Sequence, residues 1–165
     1  MLPNKFLGIC LLRANPQDLP VSNSLMLSAV LVYGLADVIG VLDTLPLGRA
    51  ALAAAVDTLL LVAATHLVLH WRALKDRVPQ TLSALAGCGA TLSLLAWASA
   101  GLTRDWLPPL WVWAPFLVWY TLVFGHVLRH ALNISLAAGV GASLLYLILS
   151  MGMTGLFVTP VPVAN

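Results

Sequence analysis

Asp37 and Asp57 are acidic residues lying within long apolar stretches of this chain. An ionisable group placed in lipid is costly, so it is the first suspect for function. If the two stretches are helices running in opposite directions, helical rise puts both carboxyls at nearly one depth, about 10 Å from the shared edge. On adjacent helices they could share a proton or bind a cation. Hydrogen-bonded aspartates that merely tie two helices together would show the same placement.

Histidines form the second set. His66 and His70, and again His126 and His130, are spaced i,i+4, which puts both rings of a pair on one helix face. Both pairs fall near the same end of their stretches. Four imidazoles at one depth could hold zinc, copper or iron, and two could ligate a haem. No Glu accompanies either pair as in HExxH, and interfacial or packing histidines have this spacing too. No other cofactor is expected. The chain has no G-x-S-x-G, no P-loop and no G-x-G-x-x-G, so a non-enzymatic role is expected. Cys10 and Cys88 form no CxxC and lie in different segments. They are expected as unpaired thiols, Cys88 within the bilayer.

The composition identifies the solvent these groups meet. Of 165 residues, 61% are hydrophobic and 8% charged. A soluble domain carries about 25% charged residues to cover its wet surface. The pI of 8.8 reflects a slight Lys/Arg excess, too sparse for a nucleic-acid footprint but of the kind that orients a membrane protein. An all-α polytopic membrane fold in one domain, 1–165, is therefore expected. Residues 6–12 are short for a signal-peptide core, and Arg13 cuts them off, so the N-terminus is expected to be retained.

Five apolar runs reach the roughly 20 residues that a crossing requires. They cover about 25–45, 50–71, 82–102, 110–132 and 134–158, each bounded by charge or proline. Residues 2–12 are too short to cross and are expected to lie in the headgroup region. Asn15-Pro16-Gln17-Asp18-Leu19-Pro20 breaks any helix before the first span. Around Asn133 the chain turns within a few residues, so spans four and five must be neighbours. The tail, 159–165, holds two prolines and no charge.

Five crossings sort the charges. Lys5, Arg13, Arg72, Lys75, Arg77 and Arg129 fall on one side, Arg49 and Arg104 on the other. This asymmetry favours the N-terminus inside and the C-terminus outside. Trp106, Trp111 and Trp113 would then line the outer interface and Trp71 the inner one. Arg72, Lys75, Arg77 and Arg129 are expected to contact lipid headgroups. Asn133-Ile134-Ser135 fits a glycosylation sequon, but on the inner side it would be unused. Ser83, Gly87 and Thr91, and likewise Ser135, Gly139 and Ser143, form small-residue faces. Such faces allow close helix approach, within the chain or toward a protein partner or second copy.

The plan resembles small bacterial membrane proteins of the Yip1 type. The resemblance rests on the short N-terminal segment ending in Asn15-Pro16-Gln17-Asp18-Leu19-Pro20, on the five closely spaced helices, and on Gly125-His126-Val127-Leu128-Arg129-His130-Ala131-Leu132 before the last hairpin. The acidic Tyr-Gly-Pro motif of eukaryotic members is absent. The resemblance implies a non-enzymatic scaffold or accessory subunit of the bacterial inner membrane, and it transfers no catalytic residue. Two alternatives come from the residues: a small transporter or proton-coupled module using Asp37 and Asp57, and a metal- or haem-binding protein using the histidines. Five spans leave little room for an enclosed path in a single copy, and no discontinuous helix pair is evident.

Overall fold

The computed structural model describes residues 2–158; the tail, 159–165, lies outside the described residues. The described chain is helical throughout: α1 (Leu2–Cys10), α2 (Asn23–Val41), α3 (Leu47–Trp71), α4 (Val78–Thr103), α5 (Pro109–Leu132) and α6 (Leu136–Val158). Single 3-10 turns occur at Pro16–Asp18 and Lys75–Arg77. Five helices, α2 to α6, are long and apolar enough to cross a membrane.

Local chemistry sets the helix ends. The Ser22 hydroxyl accepts from the Leu25 N–H at 3.3 Å and caps α2. Pro46 and Pro108 immediately precede α3 and α5, and Pro79 sits in the first turn of α4, where a missing N–H costs nothing. Asn133 ends α5 in the left-handed conformation, φ 53° and ψ 50°, with its N–H bonded to the Arg129 carbonyl. The Ser135 hydroxyl then accepts from the Ala138 N–H at 3.2 Å and opens α6. This is the tight hairpin that the sequence demanded, and α5 and α6 pack along each other.

α4 is the centre of the bundle and packs against α1, α2, α3 and α5, while α6 packs against α5 and α3. Its small residues let neighbours in close. A Cβ on Gly89 would lie 2.7 Å from Cε2 of Tyr33, and one on Gly87 would lie 2.5 Å from Cε1 of Phe6. Gly125 and Gly139 bring the backbones of α5 and α6 together, since a Cβ on Gly125 would meet the Val140 nitrogen at 2.8 Å. Gly87 and Gly139, at the middle of the two small-residue faces, are thus each met by another segment of the chain. The outer surface carries exposed leucines and isoleucines, among them Leu31, Leu59, Leu145 and Ile148. Small residues inside and large apolar residues outside is the arrangement that lipid permits.

α1 docks into the bundle against α4 and α5. Ile9 is fully buried, and Cys10, Pro16 and Leu19 are buried with it. The Cys10 carbonyl accepts from Trp119 Nε1 at 2.8 Å. The Ala14 carbonyl lies 3.0 Å from His126 Nε2, which must carry the proton because a carbonyl can only accept. The reversal at Leu12, φ 60°, turns the segment back onto the helices, and these bonds satisfy its backbone. The docking also brings the two cysteines into one buried cluster, and Cys88 Sγ lies 3.9 Å from the Phe6 carbonyl.

Candidate functional site

On α3, Ala50, Ala53, Ala54, Asp57, Leu61, Thr65 and Leu69 recur at three- and four-residue intervals and face inward. That stripe delivers Asp57 to the bundle interior, where it is 7% exposed. Its Oδ2 accepts from the Tyr33 hydroxyl of α2 at 2.5 Å. Its Oδ1 accepts from the Tyr146 hydroxyl of α6 at 3.2 Å and from the Ser150 hydroxyl one turn further on. Tyr120 of α5 extends the network, its hydroxyl 3.4 Å from that of Tyr33. A carboxylate offers acceptor positions only, and three hydroxyl donors from two helices fill most of them here.

Aromatic packing holds the donors in place. Tyr120 stacks on Phe124 with centroids 4.0 Å apart, and Phe124 stacks on Tyr146 at 5.9 Å. Gly89 leaves room for the Tyr33 ring against α4. The chain has three tyrosines, and all three reach this one network.

Asp37 is the second carboxyl. It follows Tyr33 by one turn on the same face of α2, and its carboxyl meets that of Asp57 directly. Its Oδ2 is buried without a hydrogen-bond partner among the described residues, and so is Oγ1 of Thr58, the neighbour of Asp57 on α3. The register across the α2–α3 interface is set at Gly34, where a Cβ would lie 3.1 Å from Thr58 Oγ1. Asp57 is therefore level with Tyr33 and Gly34, and Asp37 sits one turn, about 5.4 Å, nearer the hairpin. The equal depths expected from the sequence are offset by that turn because α2 ends at Val41 and α3 starts at Leu47. The side chains meet nonetheless. A buried oxygen without a partner costs about 1–3 kcal/mol. A proton or a cation can use that spare acceptor capacity.

The two histidine pairs differ in exposure. His126 is buried and meets His130 edge-on, ring centroids 4.6 Å apart, with its Nε2 engaged by Ala14. His66 and His70 are exposed on α3, and His66 Nδ1 lies 3.0 Å from the Val62 carbonyl. α3 and α5 each pack against α4 and α6. Among the described residues no group of three or more His, Cys, Asp or Glu side chains is arranged to hold a metal ion.

The basic residues divide. Arg77 Nη1 donates to the carbonyls of His130 at 3.2 Å and Ala131 at 2.9 Å, and to Asn133 Oδ1 at 3.3 Å. Arg72 reaches the Leu132 carbonyl at 3.4 Å, and Gln17 Nε2 reaches the His130 carbonyl at 2.9 Å. These donors serve the carbonyls that the end of α5 would otherwise leave unpaired. Lys75 and Arg129 remain exposed.

Sequence reasoning passed over Tyr33, Tyr120, Tyr146, Thr58 and Ser150. The tyrosines did carry a signal. Membrane tyrosines concentrate at the interfaces, whereas these three stand well inside their apolar runs. Compared with known families, curated proteins and solved structures, the chain matches no family model, no curated protein and no solved structure.

Proposed function

We propose that this chain is a small proton- or cation-handling module of a bacterial inner membrane, working through Asp37 and Asp57. The observation that carries this reading is the buried, unpartnered Asp37 Oδ2 beside an Asp57 carboxyl held by Tyr33, Tyr146 and Ser150. Asp57 is the fixed member, anchored by hydroxyls from α2 and α6. Asp37 is the member with capacity to spare, and it takes up and gives back the proton or cation. Intramembrane carboxyls arranged this way are the usual currency of proton relays. The charge asymmetry orients the module with its N-terminus and its Arg72–Arg77 loop on the cytosolic side.

Reconstitution into proteoliposomes with an entrapped pH indicator tests this reading. Wild-type protein should speed relaxation of an imposed pH gradient, and Asp37→Asn and Asp57→Asn should abolish the effect. Equal rates for all three proteins would remove the pair from any such role.

A second reading, a non-enzymatic organiser or accessory subunit of the Yip1 type, draws support from α6. Only 11% of its most apolar stretch is buried, and it exposes Leu144, Leu145, Ile148, Leu149 and Met151 as a broad ridge. A partner helix lying on that ridge should co-purify with the protein in mild detergent and be lost on Ile148→Asn. Repeated purification without a stoichiometric partner would count against it.

A further inference from the structure

We infer that a groove at the start of α2 and α4 and the end of α3 is a binding site for one anionic glycerophospholipid. The groove encloses about 580 Å³. Its polar wall is Lys75, His66, His70 and Asn23, and its apolar wall includes Met26 and Leu67. Among the described residues no carboxylate lines it. The inference is independent of the Asp37–Asp57 pair.

Three observations choose the occupant. The first is charge. Lys75 is an exposed cation, and it is not drawn into the α5 cap that occupies its neighbours Arg72 and Arg77. The exposed ring of His70 adds an N–H donor, while the N–H of His66 at Nδ1 is taken by the Val62 carbonyl. An anion is the complement of this wall, and basic pockets between membrane helices are known headgroup sites. The second is polarity along the groove. The cationic residue comes from the α3–α4 loop, whereas Met26 and Leu67 lie on helices long and apolar enough to cross a membrane. A molecule filling both parts has an anionic head and an acyl tail, which a free phosphate lacks. The third is dipole direction. α2 and α4 both start here, so the positive ends of two helix dipoles lie at the groove together with the Lys75 cation.

Native mass spectrometry of the full chain released from micelles provides the test. The micelles contain equal amounts of phosphatidylglycerol and phosphatidylcholine of matched tails. Wild-type protein should retain one phosphatidylglycerol in preference to phosphatidylcholine. Lys75→Ala should cut that preference about fivefold, and adding His70→Gln should cut it further. Lys75→Arg should keep it, and so should Arg104→Ala at the opposite end of the bundle. Excess inorganic phosphate should not displace the lipid. Equal retention of the two lipids would overturn the proposal, as would an equal loss in Arg104→Ala. Displacement by phosphate would show a simple anion site instead and overturn the lipid assignment.

Discussion

Tyr33 of α2 donates its phenol to Asp57 Oδ2 of α3 at 2.5 Å, across the interface where the two helices touch at Gly34 and Thr58. The bond does two things. It fixes the register of the first two spans, and it holds a carboxyl inside an apolar bundle next to a second one, Asp37.

Removing that phenol should be costly. Tyr33→Phe keeps the ring packed against Gly89 but takes away a donor to a buried carboxyl. A loss of about 1.5–3 kcal/mol is expected, the range for hydrogen bonds to charged groups. Tyr146→Phe, whose bond is longer at 3.2 Å, should cost less. Equilibrium unfolding in mixed micelles measures both, and the reverse order would show that Tyr146 is the main anchor.

The α5–α6 contact makes a different prediction. Gly125→Ala puts a methyl within 2.7 Å of Val140 Cγ2 and 2.8 Å of the Val140 nitrogen. The backbone cannot give way there cheaply, so destabilisation of about 1–3 kcal/mol is expected. Gly141→Ala, at the residue after Val140 but on the exposed side of α6, has nothing within 4 Å of its new methyl. Helix propensity alone then favours alanine by up to about 1 kcal/mol. Thermal unfolding of the two variants should move in opposite directions.

The docking of α1 is testable through its thiol. Cys10 and Cys88 lie in one buried cluster, although 77 residues separate them in the chain. A mild oxidant such as copper phenanthroline should join them, each sulfur giving up its hydrogen to the oxidant. Intact-mass analysis should show the loss of two hydrogens and of both alkylation sites, and Cys10→Ser should prevent it. Rapid, independent alkylation of both thiols in the native protein would show that α1 is not seated against α4.

These contacts mark how far the amino-acid sequence could be read. The five spans were legible because each long apolar run ends at proline or charge, as at Pro46, Pro79 and Pro108. The hairpin at Asn133 was legible because three residues cannot carry the chain elsewhere. The packing of α2 against α3, the helices that carry Asp37 and Asp57, followed from the short turn between the two spans. The histidine spacing correctly placed the rings of His126 and His130 on one helix face, where they meet. Spacing puts two rings on one face, but nothing in it says that α3 and α5 would pack mainly against other helices. The docking of α1 was not legible because nine residues with mixed polarity suit a headgroup surface as well as a pocket. The cap that Arg77 makes on α5 depends on a contact 54 residues away along the chain.

The central claim, that Asp37 and Asp57 exchange a proton or cation with the bulk, is tested most directly by infrared difference spectroscopy of the protein in lipid. Spectra are recorded as bulk pH is stepped. A carboxyl C=O band of a dehydrated group should respond to pH in the wild type, vanish in Asp37→Asn, and shift in Tyr33→Phe through the neighbouring Asp57. A dehydrated carboxyl band that persists unchanged in Asp37→Asn and Asp57→Asn, or the absence of any such band responding to pH in the wild type, would contradict the account.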